Sequence, residues 1–274
     1  MEIMVIAGKE IAQGILGRLK ARAKPDRFFG AVLVGEDPAS VNFLKQKEKV
    51  AKELGIEFRL YQLASNITTD ELRREIGRLA GPKSCGGFIV QLPLPESVNR
   101  HYALNAIPKE KDVDLLSEGA LGGFYTERSK VVPPSVGTVE EILKLEQRNL
   151  RDLTVVMVGA GFLIGKPVGF WLQNKIAELI VLDASVKNVH EKLREADIVI
   201  SGAGSANLFG AKHLKEGATV IDFGFNRVNG KIVGDFDPVG AEEKNIHYTK
   251  TPGGTGPILV AKLFENFYAL NATE

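Results

Sequence analysis

Short apolar runs alternate with charged stretches of helical period along most of the chain. Phe28–Val34 (FFGAVLV) is an apolar run ending at Gly35, and a long charged stretch follows it through Leu54. Asp37 suits the cap of that stretch, Pro38 its first helical position and Gly55 its stop, so the pattern predicts a strand and then a helix. Glu57–Leu63 reads as the next strand and Thr69–Ala80 as the next helix, with Asp70 and Glu71 in the first turn, where the helix dipole favours acids. Gly87–Leu92 (GFIVQL) reads as a buried strand closed by Leu-Pro-Leu-Pro. This alternation favours a parallel sheet covered on both faces.

Residues 99–150 predict short helices around an irregular stretch, 119–135 (GALGGFYTERSKVVPPS), too polar and glycine-rich for a core element, and then a linking helix, Thr138–Glu146. A second series opens at Leu153. It has strands at LTVVMVG, ELIVLD, DIVISGAG, ATVIDFG and KIVGD, helices from about Gly165 and Asn188, and a final apolar-periodic helix, Ile258–Leu270. The expected fold class is α/β, with two lobes and a cleft between them, the C-terminal lobe a Rossmann-type dinucleotide-binding domain. The boundaries read from the pattern are 1–138 for the first lobe, rejoined by the last helix at 257–274, and 139–256 for the second.

Composition narrows the class. The chain has 274 residues, 44% hydrophobic, with 14 Phe, which argues for packed cores rather than disorder. Lys and Arg number 35 against 34 Asp and Glu, a net charge of +1, so no long-range field favours nucleic acid. The longest uncharged run, Ile198–Ala211, falls short of the roughly 18 residues of a membrane span and is broken by glycines. The opening MEIMVIAGKEIAQGIL lacks the basic and apolar regions of a signal peptide, and the single cysteine, Cys85, fits a reducing compartment; a cytoplasmic location is expected. No two of the four histidines have zinc-ligand spacing and Cys85 has no CxxC partner, so no metal is expected. Neither GxSxG nor GxxxxGK[ST] occurs. Glycine stands out at 29 residues without repeats, which suggests tight turns and close backbone approach to ligands.

Candidate chemistry lies in both lobes. Gly159, Ala160, Gly161 and Gly165 form a GxGxxxG between a strand and a helix, where glycines let backbone approach a pyrophosphate and the helix N-terminus offers N–H groups. Asp183 ends the next strand, roughly 20 positions on, where a carboxylate meets a ribose hydroxyl. A purely steric glycine turn with a solvated Asp is the alternative. Asp183 would repel a 2′-phosphate and no Arg lies beside it, so NAD is favoured over NADP, with Lys187 keeping NADP open. In the first lobe, Ser40, Phe43 and Lys47 share one helix face. Spacing alone makes Lys47 one of several surface lysines, with Lys45, Lys49 and Lys52. Gln91 interrupts an apolar strand at the end that faces the ligand crevice in open α/β sheets, and a buried amide needs partners. Lys111-Asp112-Val113-Asp114 puts two carboxylates in a loop, which a solvated loop explains equally well.

VGEDPAS (34–40), KQKEKVAKELGI (45–56), GFIVQLPLP (87–95), KDVD (111–114), GKP (165–167), VIDFGFN (220–226), KIVGDFD (231–237) and TPGGTGP (251–257) occur in this order. In these stretches the chain resembles, over essentially its full length, the bifunctional methylenetetrahydrofolate dehydrogenase/methenyltetrahydrofolate cyclohydrolase (FolD) family. The resemblance implies oxidation of 5,10-methylenetetrahydrofolate with NAD or NADP and hydrolysis of the methenyl product to 10-formyltetrahydrofolate, in a homodimer that takes tetrahydrofolate derivatives. It makes Lys47 the central catalyst, Gln91 its orienting partner and Asp114 the residue that holds the pterin. Ser40, Phe43, Pro252, Gly253 and Gly254 would meet the folate, and Gly159, Ala160, Gly161, Gly165, Asp183, Ser185 and Phe225 the dinucleotide. The chain departs from the family pattern in having Phe43 for Tyr, Leu115 after KDVD for Gly, PPSV (133–136) for PCTP, Gly161 for Ser, and Leu259 for Thr. The loss of the Tyr hydroxyl keeps open a dehydrogenase with weakened hydrolysis; a folate- or nucleotide-binding protein without catalysis is a separate alternative, against which Lys47 and Gln91 together argue.

Overall fold

β-Branched and aromatic runs form the strands and the charged periodic stretches form the helices in the computed structural model, which describes residues 5–183, 186 and 188–272. The strands are β1 (Val5–Ile6), β2 (Phe28–Val34), β3 (Phe58–Leu63), β4 (Cys85–Val90), β5 (Thr154–Val158), β6 (Glu178–Leu182), β7 (Ile198–Ser201), β8 (Phe209–Gly210), β9 (Thr219–Asp222), β10 (Asn226–Val228), β11 (Lys231–Val233), β12 (Phe236–Asp237) and β13 (His247–Thr249). The helices are α1 (Gly8–Lys20), α2 (Pro38–Glu53), α3 (Thr69–Ala80), α4 (Arg100–Leu104), α5 (Glu118–Tyr125), α6 (Pro134–Leu143), α7 (Gly165–Leu172), α8 (Val189–Leu193) and α9 (Thr255–Leu270). Two compact units result. The first comprises residues up to Ala12 with Ser135–Leu259, and the second Gln13–Pro134 with the chain from Val260 onward.

The second unit is built on a parallel sheet of order β3-β2-β4, with every residue of β2 buried. Asp37 caps α2 by accepting the Ser40 N–H at 2.8 Å, and Gly55 turns the chain out of the helix at φ +67°. A reciprocal Thr68–Glu71 capping box opens α3. Phe264 and Phe267 of α9 pack on Phe29 with ring centroids 5.1 and 5.5 Å apart. Three expectations need correction. The strand β4 begins two residues before Gly87 and ends before Gln91. Its glycines allow close packing: a Cβ at Gly87 would stand 2.7 Å from both Phe267 and Val113. The glycine-rich 119–125 stretch is helix α5 rather than irregular chain, capped by Ser117, with Ala120 and Phe124 buried four residues apart. The linking helix likewise lies earlier than Thr138–Glu146, because Pro134 opens α6.

The first unit carries a six-stranded sheet of order β1-β13-β9-β7-β5-β6, parallel throughout among the described residues. Val156, Val158, Leu182, Leu193, Val199, Val220 and Phe209 belong to one buried cluster against it. Strand β5 lies between β6, which follows it in the chain, and β7. The strand order therefore reverses at β5/β7, and the crevice beyond the strand ends at such a point is where open α/β sheets bind ligands. A small hairpin, β10–β11, turns at Asn229-Gly230, both with positive φ as a type I′ turn requires.

Candidate active site

On α2, the lysines at 45, 49 and 52 are exposed, but Lys47 is 5% exposed. Its Nζ donates to Gln91 Oε1 at 2.9 Å and lies 4.6 Å from the centre of the Phe43 ring. Gln91 is buried as well, and its Nε2 donates to the Leu92 carbonyl at 2.7 Å, so both ends of the amide are engaged and its oxygen faces the lysine. The Ser40 hydroxyl reaches the same carbonyl at 3.4 Å. Burial lowers the Lys47 pKa to about 8, opposed by the nearby Asp114 carboxyl. Burial raises Asp114 in turn, with Lys47 opposing. Ser40, Phe43, Lys47, Gln91 and Asp114 thus form one cluster, and the surface-helix reading of Lys47 fails.

The rest of the KDVD segment is scaffold. Lys111 Nζ donates to the carbonyls of Ala80, Gly81 and Pro82 at 2.6, 2.9 and 2.8 Å, closing the end of α3. Asp112 Oδ2 accepts the N–H groups of Leu116 and Ser117, and the residue is fully buried, so the loop is not a solvated one. Polar loop residues read from sequence alone do not reveal that division of labour.

In the first unit, Gly159 sits just past β5 at φ +95°, and a Cβ there would stand 2.8 Å from the Gly202 carbonyl oxygen. A Cβ at Gly165 would stand 2.0 Å from the Gly159 oxygen, so α7 can start this close only with glycine there. Gly161 faces open space, Ala160 beside it is half-buried, and α7 has no side-chain cap. The turn is therefore tight underneath and open outside, with helix N–H groups free of side-chain competition, as an approaching pyrophosphate requires. The Gly159 N–H donates to Leu182 O at 2.8 Å, which brings the exposed Asp183 to the adjoining strand end. Phe225 follows β9 and is 59% exposed. Ser185 and Lys187 lie outside the described residues. The Pro252-Gly253-Gly254 loop packs on α1, where a Cβ at Gly8 would stand 1.7 Å from the Gly254 oxygen. Gly8 and Ser135, whose hydroxyl donates to the Leu163 carbonyl at 2.7 Å beneath the glycine turn, are supports that spacing does not reveal. Among the described residues no group of three His, Cys, Asp or Glu is placed to hold a metal, and no helix is long and apolar enough to cross a membrane.

A parallel sheet with a glycine turn at its switch point defines a Rossmann-type nucleotide-binding unit, here in one chain with a buried lysine–amide pair. Comparison with known proteins agrees. The family described as "Tetrahydrofolate dehydrogenase/cyclohydrolase, catalytic domain" matches residues 6–114, and its "NAD(P)-binding domain" matches residues 133–274. The "Bifunctional protein FolD" of Bacillus subtilis is 34% identical over 273 residues, covering 97% of this chain and 96% of its own. The solved bifunctional FolD dehydrogenase/cyclohydrolase of Campylobacter jejuni superposes with a TM-score of 0.90 at 33% identity over 97% of both chains. That of Trypanosoma brucei, complexed with NADP cofactor and inhibitor, does so with 0.91 at 31% identity over 98% of this chain and 97% of its own. The chain belongs to the tetrahydrofolate dehydrogenase/cyclohydrolase family.

Proposed function

We propose that this protein oxidises 5,10-methylenetetrahydrofolate to the 5,10-methenyl form with NAD(P)+ and hydrolyses the methenyl form to 10-formyltetrahydrofolate. The observation that carries the reading is the enclosed Lys47–Gln91 pair, on a helix whose other lysines are solvated. A pKa near 8 supports a proton-transfer role, since an amine partly neutral near physiological pH can both take and return a proton. In the hydrolytic step Lys47 accepts a proton from the water adding to the methenyl carbon. It returns that proton to the folate N5 as the carbon–N5 bond breaks, and the remaining hydroxyl proton leaves to solvent as the carbonyl forms, giving the formyl group on N10. Gln91 keeps Nζ aimed at the water, Asp114 accepts the paired donors of the pterin edge, and Phe43 with Ser40 borders the folate.

When bound, the dinucleotide supplies the hydride acceptor. Gly159, Ala160, Gly161 and Gly165 hold its pyrophosphate, Asp183 its ribose, and Ser185 and Phe225 flank it. The exposed Asp183 carboxyl favours NAD over NADP, because a 2′-phosphate beside it meets like charge. The protein acts as a homodimer in the cytoplasm, and sedimentation of the purified protein checks the dimer.

Purified protein given methylenetetrahydrofolate with NAD or NADP should develop methenyl absorbance, and methenyltetrahydrofolate added directly should be consumed faster than in buffer. No hydride transfer with either dinucleotide overturns the reading. For the preference, initial rates with both dinucleotides should favour NAD in the native protein and shift towards NADP by roughly tenfold in Asp183→Ser. A native preference for NADP refutes the role of Asp183.

A further inference from the structure

The segments VIDFG and VGDFD each carry an enclosed carboxyl, Asp222 and Asp235, that the reaction above does not use. Asp235 is 0% exposed. Its Oδ2 accepts the Ser201 hydroxyl at 2.7 Å and the N–H groups of Ala203 and Gly204 at 2.9 and 3.2 Å. Its Oδ1 accepts the Ser205 N–H at 2.9 Å and the Asn226 amide at 3.2 Å. Three of these donors are consecutive backbone amides, an arrangement that a carboxylate, with acceptor sites on both oxygens, satisfies and a neutral amide does not.

The donors share a location. Ser201 ends β7, and 203–205 is the chain leaving it. Strand β7 adjoins β5 at the switch point, Gly202 N–H donates to Val158 O at 2.9 Å, and the Gly202 carbonyl is the wall that a Cβ at Gly159 would meet. The chain held by Asp235 therefore borders the crevice that has the glycine turn on its other side. Asp222 secures the anchor in turn: its Oδ2 accepts the Phe236 N–H at 3.0 Å and its Oδ1 accepts the Gly224 N–H at 2.6 Å, fixing the backbone on each side of Asp235 and Asn226.

We propose that Asp235 is a positioning residue of the dinucleotide site, its carboxylate gathering the Ser201–Ser205 segment into the wall against which NAD(P) lies. This rests on the reading that the first unit binds the dinucleotide. Enclosed as it is, Asp235 touches no ligand. It acts through the backbone it holds, so its loss lowers affinity for the dinucleotide rather than the rate of the chemical step.

The test compares Asp235→Asn and Ser201→Ala with the native protein, by titrating NADH and NADPH fluorescence and by hydride-transfer kinetics. Hydrolysis of the methenyl form takes no dinucleotide and reports on folding. Asp235→Asn turns an acceptor oxygen into a donor facing N–H groups, and should raise Kd and KM for the dinucleotide roughly 10- to 100-fold, with kcat changed by less than about threefold and hydrolysis retained. Ser201→Ala removes one donor and should raise the same constants roughly 3- to 10-fold. Unchanged dinucleotide affinity in both variants overturns the proposal, as does a parallel loss of hydrolysis and hydride transfer in both, which would make the carboxylate a support for the whole fold. If Asp235→Asn does not fold, Ser201→Ala decides alone: raised constants support the proposal and unchanged ones overturn it. A native protein that binds neither dinucleotide overturns the functional reading and this inference together; native binding with unaffected variants overturns this inference alone.

Discussion

Lys47 sits where its ammonium form is disfavoured. Enclosure pulls its pKa from 10.5 to about 8, and Asp114 only partly offsets this. The folded-state value lies below the unfolded one. The resulting destabilisation is therefore fully present below about pH 8 and is relieved as the pH rises towards 10.5. A shift of this size corresponds to about 3 kcal/mol at pH 7. Lys47→Met keeps the stem and removes the charge. It should slow hydrolysis at least roughly 100-fold while raising the free energy of unfolding at pH 7 by about 1–3 kcal/mol. Urea denaturation measures the second effect, and a variant less stable than the native protein contradicts the assignment. The native hydrolytic rate should rise through an apparent pKa near 8; a flat profile across that range would place the proton transfer elsewhere.

The chain after β4 shows what single elements demand. Asp112 bridges to Phe88 on the free edge of β4 and receives the Leu116 and Ser117 amides, so the peptide between must reverse sharply. Leu115 makes that reversal at φ +53° while 1% exposed, at the position where the family pattern has glycine. Two opposed effects meet there: a left-handed backbone costs a non-glycine residue about 1–2 kcal/mol, and burying the leucine returns about 2–3 kcal/mol. Leu115→Ala should lose the packing and keep the strain, whereas Leu115→Gly should lose the packing and release the strain. The glycine variant should then equal or exceed the alanine variant in stability, the reverse of the usual order inside an element; denaturant midpoints for the pair decide. Long elements such as β2 and α3 are legible from sequence because period, caps and turn residues agree over their whole length. β1 and β13 are not, since two- and three-residue strands have no period and pair only through distant chain, Val5 with Tyr248. In the same way spacing reveals the face that Ser40, Phe43 and Lys47 share. It does not reveal which lysine is enclosed, because Gln91 arrives from β4, far along the chain.

Across the whole molecule, Glu146, Asp112, Asp222 and Lys47 shape how stability follows pH, and burial of Asp114 adds to the fall as the pH rises. Glu146 is held at about 2 by hydrogen bonds from Arg148, so its contribution is present above pH 4.5 and lost as the pH falls through 2. Asp112 and Asp222 are both pushed up to about 6 by burial. For these two the protonated form suits the folded state, and stability falls as the pH rises from 3.8 to 6. Lys47 adds the recovery above about 8. Each shift exceeds two pH units, which corresponds to about 2–3 kcal/mol, the Glu146 share being reduced because Arg148 is partly exposed. Stability should therefore rise to a maximum near pH 4, decline as Asp112, Asp222 and Asp114 lose their protons, and rise again above about 8 before general alkaline unfolding. Urea midpoints across this range trace the curve, and two variants dissect it. Glu146→Gln should flatten the acid side alone, and Lys47→Met should remove the alkaline recovery alone. Because Glu146 belongs to the first unit and Lys47 to the second, a variant that flattened both limbs would mean that the two effects do not arise at these side chains, and would remove the physical basis given for the lowered pKa of Lys47.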